Sequence, residues 1–335
     1  MPVWSREQWD ALWDDYPHRQ EFAGVPRGFV LEVDGAIVGS ISSVLAKYSL
    51  AGRELRACAA GNAAVDPAHR AGSVRLFGEQ LLQPGIDLYL NGSASAVTSK
   101  IMDTLKVPRI PQADYDVSLL WALRGTGVAK AGLTRRGVPL ASLLAWPVGV
   151  GMQLVSTVKI RSGARARYPV RVVDSPAPDF DDLWERIRAR TSTLVAFRDH
   201  LTLRWRYGKM IAAGNATILA VHRDGVLAGY TALVRKGHPK LGVDSYVVHD
   251  LQCVDDDEAL TTSLLAAAWK HARAASLDLL EWTGFAGTKR AIAERSSTLR
   301  YRLGVWQAFY YTRDAALKPQ LTESARWDFC GYDSD

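Results

Sequence analysis

One loop of this sequence has the composition of an anion-binding site. Residues 65–73 read Val-Asp-Pro-Ala-His-Arg-Ala-Gly-Ser and lie between a strand pattern and a helix predicted over residues 74–82. A loop that enters a helix points backbone N–H groups outward, and the helix dipole adds partial positive charge there. Gly72 would let the backbone approach a ligand, and Arg70 would supply charge. The alternative is an ordinary turn before a surface helix.

Three ionisable residues of the second half are candidates for proton transfer. His249 and Asp250 are consecutive on one predicted strand, and Glu281 ends the next strand. Strand neighbours face opposite sides of a sheet, so His249 and Asp250 can share a cleft only if a β-bulge intervenes. A carboxylate or imidazole in a gap between strands can act as a general base for an amine or hydroxyl. The alternative is a buried polar residue whose hydrogen bonds the backbone satisfies.

An internal repeat organises these candidates. The hairpin turn Asp34-Gly35 recurs as Asp224-Gly225, both in the pattern Asp-Gly-x-x-x-Gly. Later strands in the two halves hold Asp87 and Asp278, at nearly the same offset of about 190 residues. Asp-Gly favours two-residue hairpin turns because both central residues take positive φ. The sequence of each half therefore predicts, in order, a hairpin, strand, helix, strand, helix and strand. This order is typical of a mixed sheet with helices packed against it.

The second copy of the loop carries the opposite charge. Residues 255–258 read Asp-Asp-Asp-Glu, ahead of a helix predicted over residues 260–275. Carboxylates repel a phosphate group, whereas acids at a helix N-terminus stabilise the helix. We therefore expect these acids to cap the helix, and we expect the second half to lack an anion site.

Composition excludes several classes of protein. The chain has 335 residues, which suggests about two domains, and its 48% apolar and 23% charged residues are typical of a globular protein. The formal net charge of +6 allows an anionic ligand without indicating a nucleic-acid binder. Cys58, Cys253 and Cys330 are far apart, which argues against a disulfide framework or a zinc site and suits a reducing, cytoplasmic compartment. We see no signal-peptide pattern in residues 1–19.

One segment without charge lies between the two halves. Residues 137–158 hold no charged side chain, while Arg135 and Arg136 precede them and several basic residues follow. The length is close to the ~20 residues of a transmembrane helix, but Pro147 and glycines interrupt it. We expect a buried interdomain helix kinked at Pro147. An interfacial helix in peripheral contact with anionic lipid headgroups is the first alternative, and a spanning helix is the second.

The loop at residues 65–73 resembles the V-x-P-x-x-R-G-x-G phosphate loop of the GNAT (Gcn5-related) N-acyltransferase superfamily. The hairpin with Gly39 and the strand end Leu-Asn-Gly-Ser-Ala-Ser at residues 90–95 lie where that fold expects them. The resemblance covers residues 20–125 and reaches the second half through the repeat. Trp327 and the Asp-rich end also look like tandem-GNAT proteins of polysaccharide or lipid biosynthesis, and more loosely like FemAB-type aminoacyl transferases.

This resemblance implies an α/β (α+β) fold class with two GNAT-like domains, each a mixed, mostly antiparallel sheet flanked by helices. It divides the chain into three segments. Residues 1–125 form the donor domain, residues 126–175 an apolar and basic connector, and residues 176–335 a second domain that binds the acceptor or is structural. It implies acyl transfer from acetyl-CoA or a longer acyl-CoA to the amine of a small-molecule or lipid-linked acceptor, without a metal.

The resemblance also assigns roles to residues. The turn between Asp66 and Ser73 would wrap the diphosphate of coenzyme A with its amide hydrogens, and the strand before it would pair with the pantetheine arm. The cofactor-binding residues would be Ala63, Ala64, Val65, Arg70, Ala71, Gly72, Ser73, Val74 and Arg75, of which Arg75 is otherwise a solvated helix residue. With the proton-transfer candidates above, the catalytic or orienting residues would be Asn62, Ser93, Ser95, His249, Asp250 and Glu281.

Two departures from the family pattern leave alternatives open. The second glycine of R-G-x-G is missing or shifted, and Met102 stands where many relatives carry a tyrosine that acts as general acid. Methionine cannot donate a proton, so the acid lies elsewhere or water carries the proton. The first alternative is an aminoacyl-tRNA-dependent transferase, which predicts salt-sensitive tRNA binding. The second is a non-catalytic scaffold, which predicts no binding of acyl-CoA.

Overall fold

The computed structural model describes residues 5–238, 242–303 and 307–334. Its strands are β1 (Gly28–Val33), β2 (Ala36–Leu50), β3 (Arg53–Val65), β4 (Leu88–Ala94), β5 (Val117–Ala122), β6 (Val170–Val173), β7 (Leu194–Ala196), β8 (Ala216–Arg223), β9 (Val226–His238), β10 (Val243–Cys253), β11 (Leu279–Thr283), β12 (Leu299–Arg302) and β13 (Gln307–Tyr311). Its α-helices are α1 (Arg6–Asp14), α2 (Ser73–Leu81), α3 (Ala96–Thr104), α4 (Gly125–Arg135), α5 (Ala141–Gly163), α6 (Asp179–Arg188), α7 (His200–Ala212), α8 (Glu258–Ala274), α9 (Gly287–Ser296) and α10 (Leu317–Leu321).

These strands form two mixed sheets. The first has the order β1-β2-β3-β4-β13, with β7 beside β2, and the second has the order β12-β5-β11-β10-β9-β8-β6. In each sheet a single pair is parallel, β3 with β4 and β10 with β11, and every other pair is antiparallel. The predicted fold class, two mixed and mostly antiparallel sheets flanked by helices, is confirmed.

The two halves of the chain exchange strands between the sheets, and the short β7 of the second half also pairs with β2 of the first sheet. β5, from the first half of the chain, pairs antiparallel with β11 in the second sheet. β13, from near the C-terminus, pairs antiparallel with β4 in the first sheet. Each sheet is therefore completed by a strand from the other half of the chain. The division into residues 1–125, 126–175 and 176–335 stays a prediction, and the strand exchange crosses it.

The two hairpins at the start of the repeat have the predicted turns. Asp34 and Gly35 have φ of 52° and 79°, and Asp224 and Gly225 have φ of 54° and 80°. Positive φ at both central residues is the backbone that a two-residue hairpin needs to match the twist of its strands. The helices after both loops also begin within two residues of their predicted starts, as α2 and α8.

Successive side chains of β3 and β4 point to opposite faces of the first sheet, and each face packs in a different hydrophobic core. Cys58 and Tyr89 face a core formed with α2 and α3. Ala57 and Leu88 face the opposite way, into the large core shared with the second sheet. Any gap between β3 and β4 therefore opens on α2 on one side and on the junction between the sheets on the other.

The uncharged segment forms α5, which contains Pro147, but this helix is not buried. Its inner face packs against α4 and α9, where Gly149 lies against Gly125 and Gly163 lies against Ser296. Its outer face is exposed, and only 17% of its most apolar window is buried. The expectation of a buried interdomain helix is wrong because the helix packs on the second sheet by one face only, and no described residue covers its outer face.

Candidate functional site

The first sheet opens where its parallel strands separate. β3 and β4 pair from Ala57 with Leu88 to Ala59 with Leu90, and their ladder stops there. β3 continues to Val65 and β4 to Ala94. Past the ladder, the edge of β3 that faces β4 presents peptide groups to a gap, as an edge strand does. An extended ligand can pair with such an edge.

A β-bulge bends β3 at the rim of this gap. The register between β2 and β3 shifts so that Ile41 stands opposite both Asn62 and Ala63. Asn62 has φ of 42°, and its side chain is exposed. Bulges bend a strand and increase its local twist, and this one lies just past the point where β3 stops pairing with β4. The predicted residue Asn62 therefore lies at the gap.

The loop after β3 uses several of its amides internally. The Asp66 amide donates to the Val38 carbonyl at 2.8 Å, and the Ala68 and His69 amides bond the side chain and carbonyl of Asp66 at 2.8 and 2.9 Å. The Ser73 amide donates to Arg70. These four amides are occupied, contrary to the expectation that the whole turn points its N–H groups at a ligand. The assignment of residues 63–75 to cofactor binding stays a prediction.

The positive end of α2 remains beside this loop. The helix begins at Ser73 without a side-chain cap, so the helix dipole is not offset by a capping carboxylate or hydroxyl. Arg70 and Arg75 are exposed on either side of that start. Neither forms an ion pair with any residue that the structure describes, whereas Arg19, Arg53 and Arg300 do. The helix start and the two arginines together give the loop after β3 a positive charge.

Three further residues of the first half that the sequence analysis named pack in the fold or cap a helix, and a fourth, Ser93, is exposed. A Cβ at Gly72 would overlap the Leu31 side chain, so Gly72 allows the turn to pack on β1. The Ser95 hydroxyl accepts a hydrogen bond from the Thr98 amide and caps α3. Met102, at the position where relatives carry a tyrosine, is fully buried in the core under α2. Ser93 is exposed on β4 past the end of the ladder.

The second sheet has the same opening, but the chain fills it. β10 and β11 pair only as far as Val248 with Trp282. The C-terminal segment enters beyond that point, where the Phe285 amide donates to the Phe329 carbonyl at 2.8 Å and Cys330 bridges to Gly284. Lys289 holds the same segment through a buried ion pair with Asp328 at 2.5 Å. No extended ligand can occupy this gap while the segment is there.

The acidic loop of the second half caps its helix, as predicted. The Asp257 carboxylate accepts hydrogen bonds from the Ala259 and Leu260 amides at the start of α8. Each of the four acids also pairs with a basic residue: Asp255 with Arg190, Asp256 with Lys289, Asp257 with Arg223 and Glu258 with Arg295. The first amides of α8 are therefore already occupied by a carboxylate of the chain.

His249 lies on the β-bulge that the sequence argument required. The register of β9 with β10 shifts between Val248 and Asp250, which leaves His249 as the extra residue. Its Nδ1 lies 2.9 Å from the Tyr207 hydroxyl. Burial, with a smaller effect of Arg206, lowers the pKa of His249 to about 3. The ring is neutral at pH 7 and is a weak base.

Both carboxylates predicted in the second half have basic partners. Asp250 is buried against Arg198 at 2.9 Å and also accepts from the Tyr230 hydroxyl. Burial raises the pKa of Asp250, but the Arg198 charge outweighs burial and the net shift is downward. Glu281 is buried 2.7 Å from Nε2 of His238, and its pKa is likewise lowered despite burial. Their roles as catalytic bases stay predictions.

The C-terminal segment also reaches the first gap, which the sequence did not predict. A Cβ on Gly92 of β4 would lie 2.7 Å from the Asp333 carbonyl oxygen and 2.9 Å from Cα of Ser334. The Tyr48 hydroxyl donates to the Asp333 carboxylate at 2.9 Å. Burial raises the pKa of Asp333. The only signal in the sequence was an Asp-rich end, which says nothing about where that end folds.

A cavity of about 1090 Å³ adjoins this segment between α1 and α7. Leu12, Trp205, Met210 and His249 line it together with Arg206. The Arg206 guanidinium donates to the Ser334 carbonyl at 2.9 Å, so the cavity lies beside the segment that covers Gly92. Nε of Arg206 is buried and has no hydrogen-bond partner within the described ranges.

A mixed sheet whose parallel strands separate beside the N-terminus of a helix is the GNAT fold, and comparison with solved structures confirms this fold. The GCN5-related N-acetyltransferase from Anabaena variabilis aligns over 92% of this chain and 71% of its own, with a TM-score of 0.52 and 11% identity. Eis1 from Mycobacterium abscessus aligns over 95% and 74%, with a TM-score of 0.50 and 14% identity.

A third similar structure is that of Saccharomyces cerevisiae N-myristoyltransferase with bound myristoyl-CoA. It aligns over 92% of this chain and 80% of its own, with a TM-score of 0.51 and 11% identity. No protein-family model matches the chain, and no curated protein does. At these identities the likeness establishes the fold, and the tandem or FemAB-like subtype stays a prediction.

Proposed function

We propose that this protein is an N-acyltransferase that takes its acyl group from a coenzyme A thioester bound in the gap between β3 and β4. One observation carries the proposal: the ladder of β3 with β4 ends at Ala59 and Leu90 beside the uncapped start of α2, whereas the gap between β10 and β11 is filled by the chain itself. The similar solved structures support it, since they include N-acetyltransferases and an N-myristoyltransferase with bound myristoyl-CoA.

In this proposal the donor lies along β3 and reaches α2. The pantetheine arm pairs with the free edge of residues 60–65, as a strand added to a sheet edge. The diphosphate lies at the first turn of α2, where Arg70 and Arg75 neutralise it. The bulge at Asn62 directs a β3 amide at the thioester carbonyl, which stabilises the oxyanion that forms there.

The acceptor enters from the cavity on the other side of the sheet. Its amine nitrogen forms a bond to the thioester carbon, the carbon–sulfur bond breaks, and coenzyme A leaves as the thiolate. Arg206, with an unused Nε donor, and the exposed cations Arg204 and Lys209 outnumber Asp15 in the cavity lining. This balance of charge suits an acceptor that carries an anionic group beside its amine. A lipid-linked amine with a phosphate would have this chemistry.

Asp333 is the strongest candidate for the base that takes the amine proton. Its pKa is raised by burial, which brings it closer to the range in which a general base works at neutral pH. His249, with a pKa of about 3, is too weak a base. Asp250 is neutralised by Arg198 in a buried pair. The proton passes to Asp333 and then to solvent or to the departing thiolate.

Binding is tested by thermal denaturation with acetyl-CoA, palmitoyl-CoA and tRNA. A ligand that binds the native state raises the melting temperature, by about 2.7 kcal/mol of stability at one hundred times Kd. Acyl-CoA should raise it for the wild type, and Arg70→Gln/Arg75→Gln should weaken binding by about tenfold or more, the equivalent of ~1.4 kcal/mol. Lys270→Gln, an exposed cation on α8, is the matched control.

Other outcomes of this titration assign the alternatives. A shift with tRNA that weakens as salt increases, without a shift with acyl-CoA, would replace our proposal with the tRNA-dependent transferase. No shift with any of the three ligands would favour the scaffold.

Catalysis is tested by thiol release from acetyl-CoA with a panel of primary amines. Asp333→Asn keeps the shape of the side chain and should slow release by about 100-fold or more while leaving acyl-CoA binding unchanged. Because the base must be ionised, the wild-type rate should rise with pH through the raised pKa of Asp333. Equal rates for wild type and Asp333→Asn would remove this residue from the mechanism.

A further inference from the structure

Among the described residues, α5 carries more exposed large apolar side chains than any other helix or strand. Leu143, Trp146, Leu154 and Val158 recur on one side of the helix and are 71%, 68%, 61% and 65% exposed. Leu140, at the start of the helix, adds a side chain that is 71% exposed. Isolated exposed apolar residues are common, but a continuous row along a 23-residue helix marks an interaction surface. We call this row the α5 outer face.

The inner face of α5 is fixed to the second sheet along its length. The Ser156 hydroxyl accepts from the Ala122 amide at 3.0 Å, and Lys159 donates to the Ser297 carbonyl at 2.9 Å. Gly149 packs against the backbone of Gly125 so closely that no Cβ would fit. The helix therefore cannot leave the sheet to cross a bilayer without breaking these contacts. It can lie flat on a surface with only its outer face inserted.

The surroundings of the α5 outer face are strongly basic. Between residues 117 and 173 the sequence holds nine basic residues and no acidic one. Arg135 and Arg136 precede the helix, Arg161 ends it, and all three are exposed. None of the three has a carboxylate partner within residues 5–238, 242–303 and 307–334, in contrast to the many paired arginines elsewhere. Their charge is available to something outside the chain.

We propose that the α5 outer face docks on an anionic lipid bilayer, with the helix in the plane of the interface. Apolar side chains, among them a tryptophan, would insert at the level of the headgroups, and the flanking arginines would contact lipid phosphates. A second copy of this chain is a poorer occupant because two such faces would bring their unpaired arginines together. The docking would hold an acyltransferase of this fold at a membrane surface.

The test is flotation with vesicles of phosphatidylcholine alone or with 30% phosphatidylglycerol, without acyl-CoA. The wild type should float with the anionic vesicles, and flotation should fall at 0.5 M salt because surface charges are screened. Leu143→Ser/Trp146→Ser/Leu154→Ser should lower the bound fraction by about tenfold or more, since each side chain loses apolar area. Arg135→Gln/Arg136→Gln/Arg161→Gln should reduce binding to the level seen with phosphatidylcholine alone.

Ile37→Ser/Val97→Ser is the matched control, because both side chains are 68% exposed but lie on the first sheet and on α3. It should float like the wild type, and circular dichroism of every variant shows that it is folded. A wild type that stays at the bottom of the gradient would overturn the proposal, as would a serine variant that floats normally. A wild-type dimer that the serine substitutions convert to a monomer, without flotation, would assign the face to a second copy.

Discussion

Residue types that could do chemistry are often used here to hold the fold. Ser95 caps α3, Asp250 neutralises a buried Arg198, and Asp257 caps α8. The backbone of Asp333 lies against Gly92 beside the first gap although no motif surrounds it, and its carboxylate accepts from the Tyr48 hydroxyl and the Cys330 amide. The type and spacing of a residue show which reactions it could support. Its hydrogen-bond partners decide whether the group is free to support them.

We predict that the C-terminal segment can pack against the first sheet only because Gly92 has no side chain. A Cβ there meets backbone atoms of Asp333 and Ser334 at 2.7 and 2.9 Å, and backbone cannot move aside as a side-chain tip can. Gly92→Ala should therefore lower the free energy of unfolding by about 1–3 kcal/mol. The urea midpoint measures this. Gly132→Ala, with no atom within 4 Å of its added Cβ, is the control and should be neutral or slightly stabilising.

His249 makes stability depend on pH. Its folded pKa is about 3, against a usual 6.5, so at pH 5 the unfolded chain binds a proton that the folded chain does not. The stabilisation is present above pH 6.5 and is lost as the pH falls toward 3, by about 2 kcal/mol between pH 7 and pH 5. His249→Gln should remove that part of the slope in urea midpoints measured at both pH values.

His222→Gln, on β8 at the far side of the second sheet, is the matched control and should keep the wild-type slope. A slope that is unchanged in His249→Gln would mean that the ring is solvated in solution.

At the scale of elements, the sequence predicted the hairpin turns and the helix starts correctly, but it did not predict which strands pair. Asp-Gly turns define both hairpins, and the helices after the two loops start where the repeat placed them. The exchange of β5 and β13 left no such signal, because a strand pattern shows which side of a strand is apolar but not which sheet it joins. Helix α5 is a second case in which the sequence did not predict packing, because an uncharged segment does not indicate which of its faces will be buried.

The strand exchange predicts that the first half cannot fold alone. A fragment of residues 1–125 would keep β4 but lack β13, whose Phe309 is fully buried in the core under α2. It should lack a cooperative thermal transition, as followed by circular dichroism. In the intact chain, Phe309→Ala should cost about 3–5 kcal/mol in urea unfolding. A fragment that melts cooperatively would mean that β4 does not need its partner.

At the scale of the whole molecule, the chain fills one of the two gaps between parallel strands and only borders the other. The C-terminal segment fills the gap between β10 and β11, and then passes Gly92 beside the gap between β3 and β4. One stretch of chain thus closes one gap and forms a wall of the other. The two openings therefore differ in structure even though the sheets share an arrangement of strands.

This asymmetry predicts a single acyl-CoA per chain. Isothermal titration with acetyl-CoA should give a stoichiometry of one, because the second gap is filled and its loop carries four carboxylates. Arg70→Gln/Arg75→Gln should weaken that one site without uncovering another. A stoichiometry of two would show that the C-terminal segment leaves the second gap in solution.

By itself the sequence determined the α/β class, the repeat, both hairpin turns, the acid-capped helix and the two positions that lack the residues of the GNAT pattern, because turn chemistry, periodicity and charge act over a few residues. Only the tertiary structure decided that β5 and β13 change sheets, that the end of the chain lies against Gly92 and that α5 keeps an apolar face outward. Those contacts join residues hundreds of positions apart, and their free energy depends on surfaces that exist only once both sheets have formed.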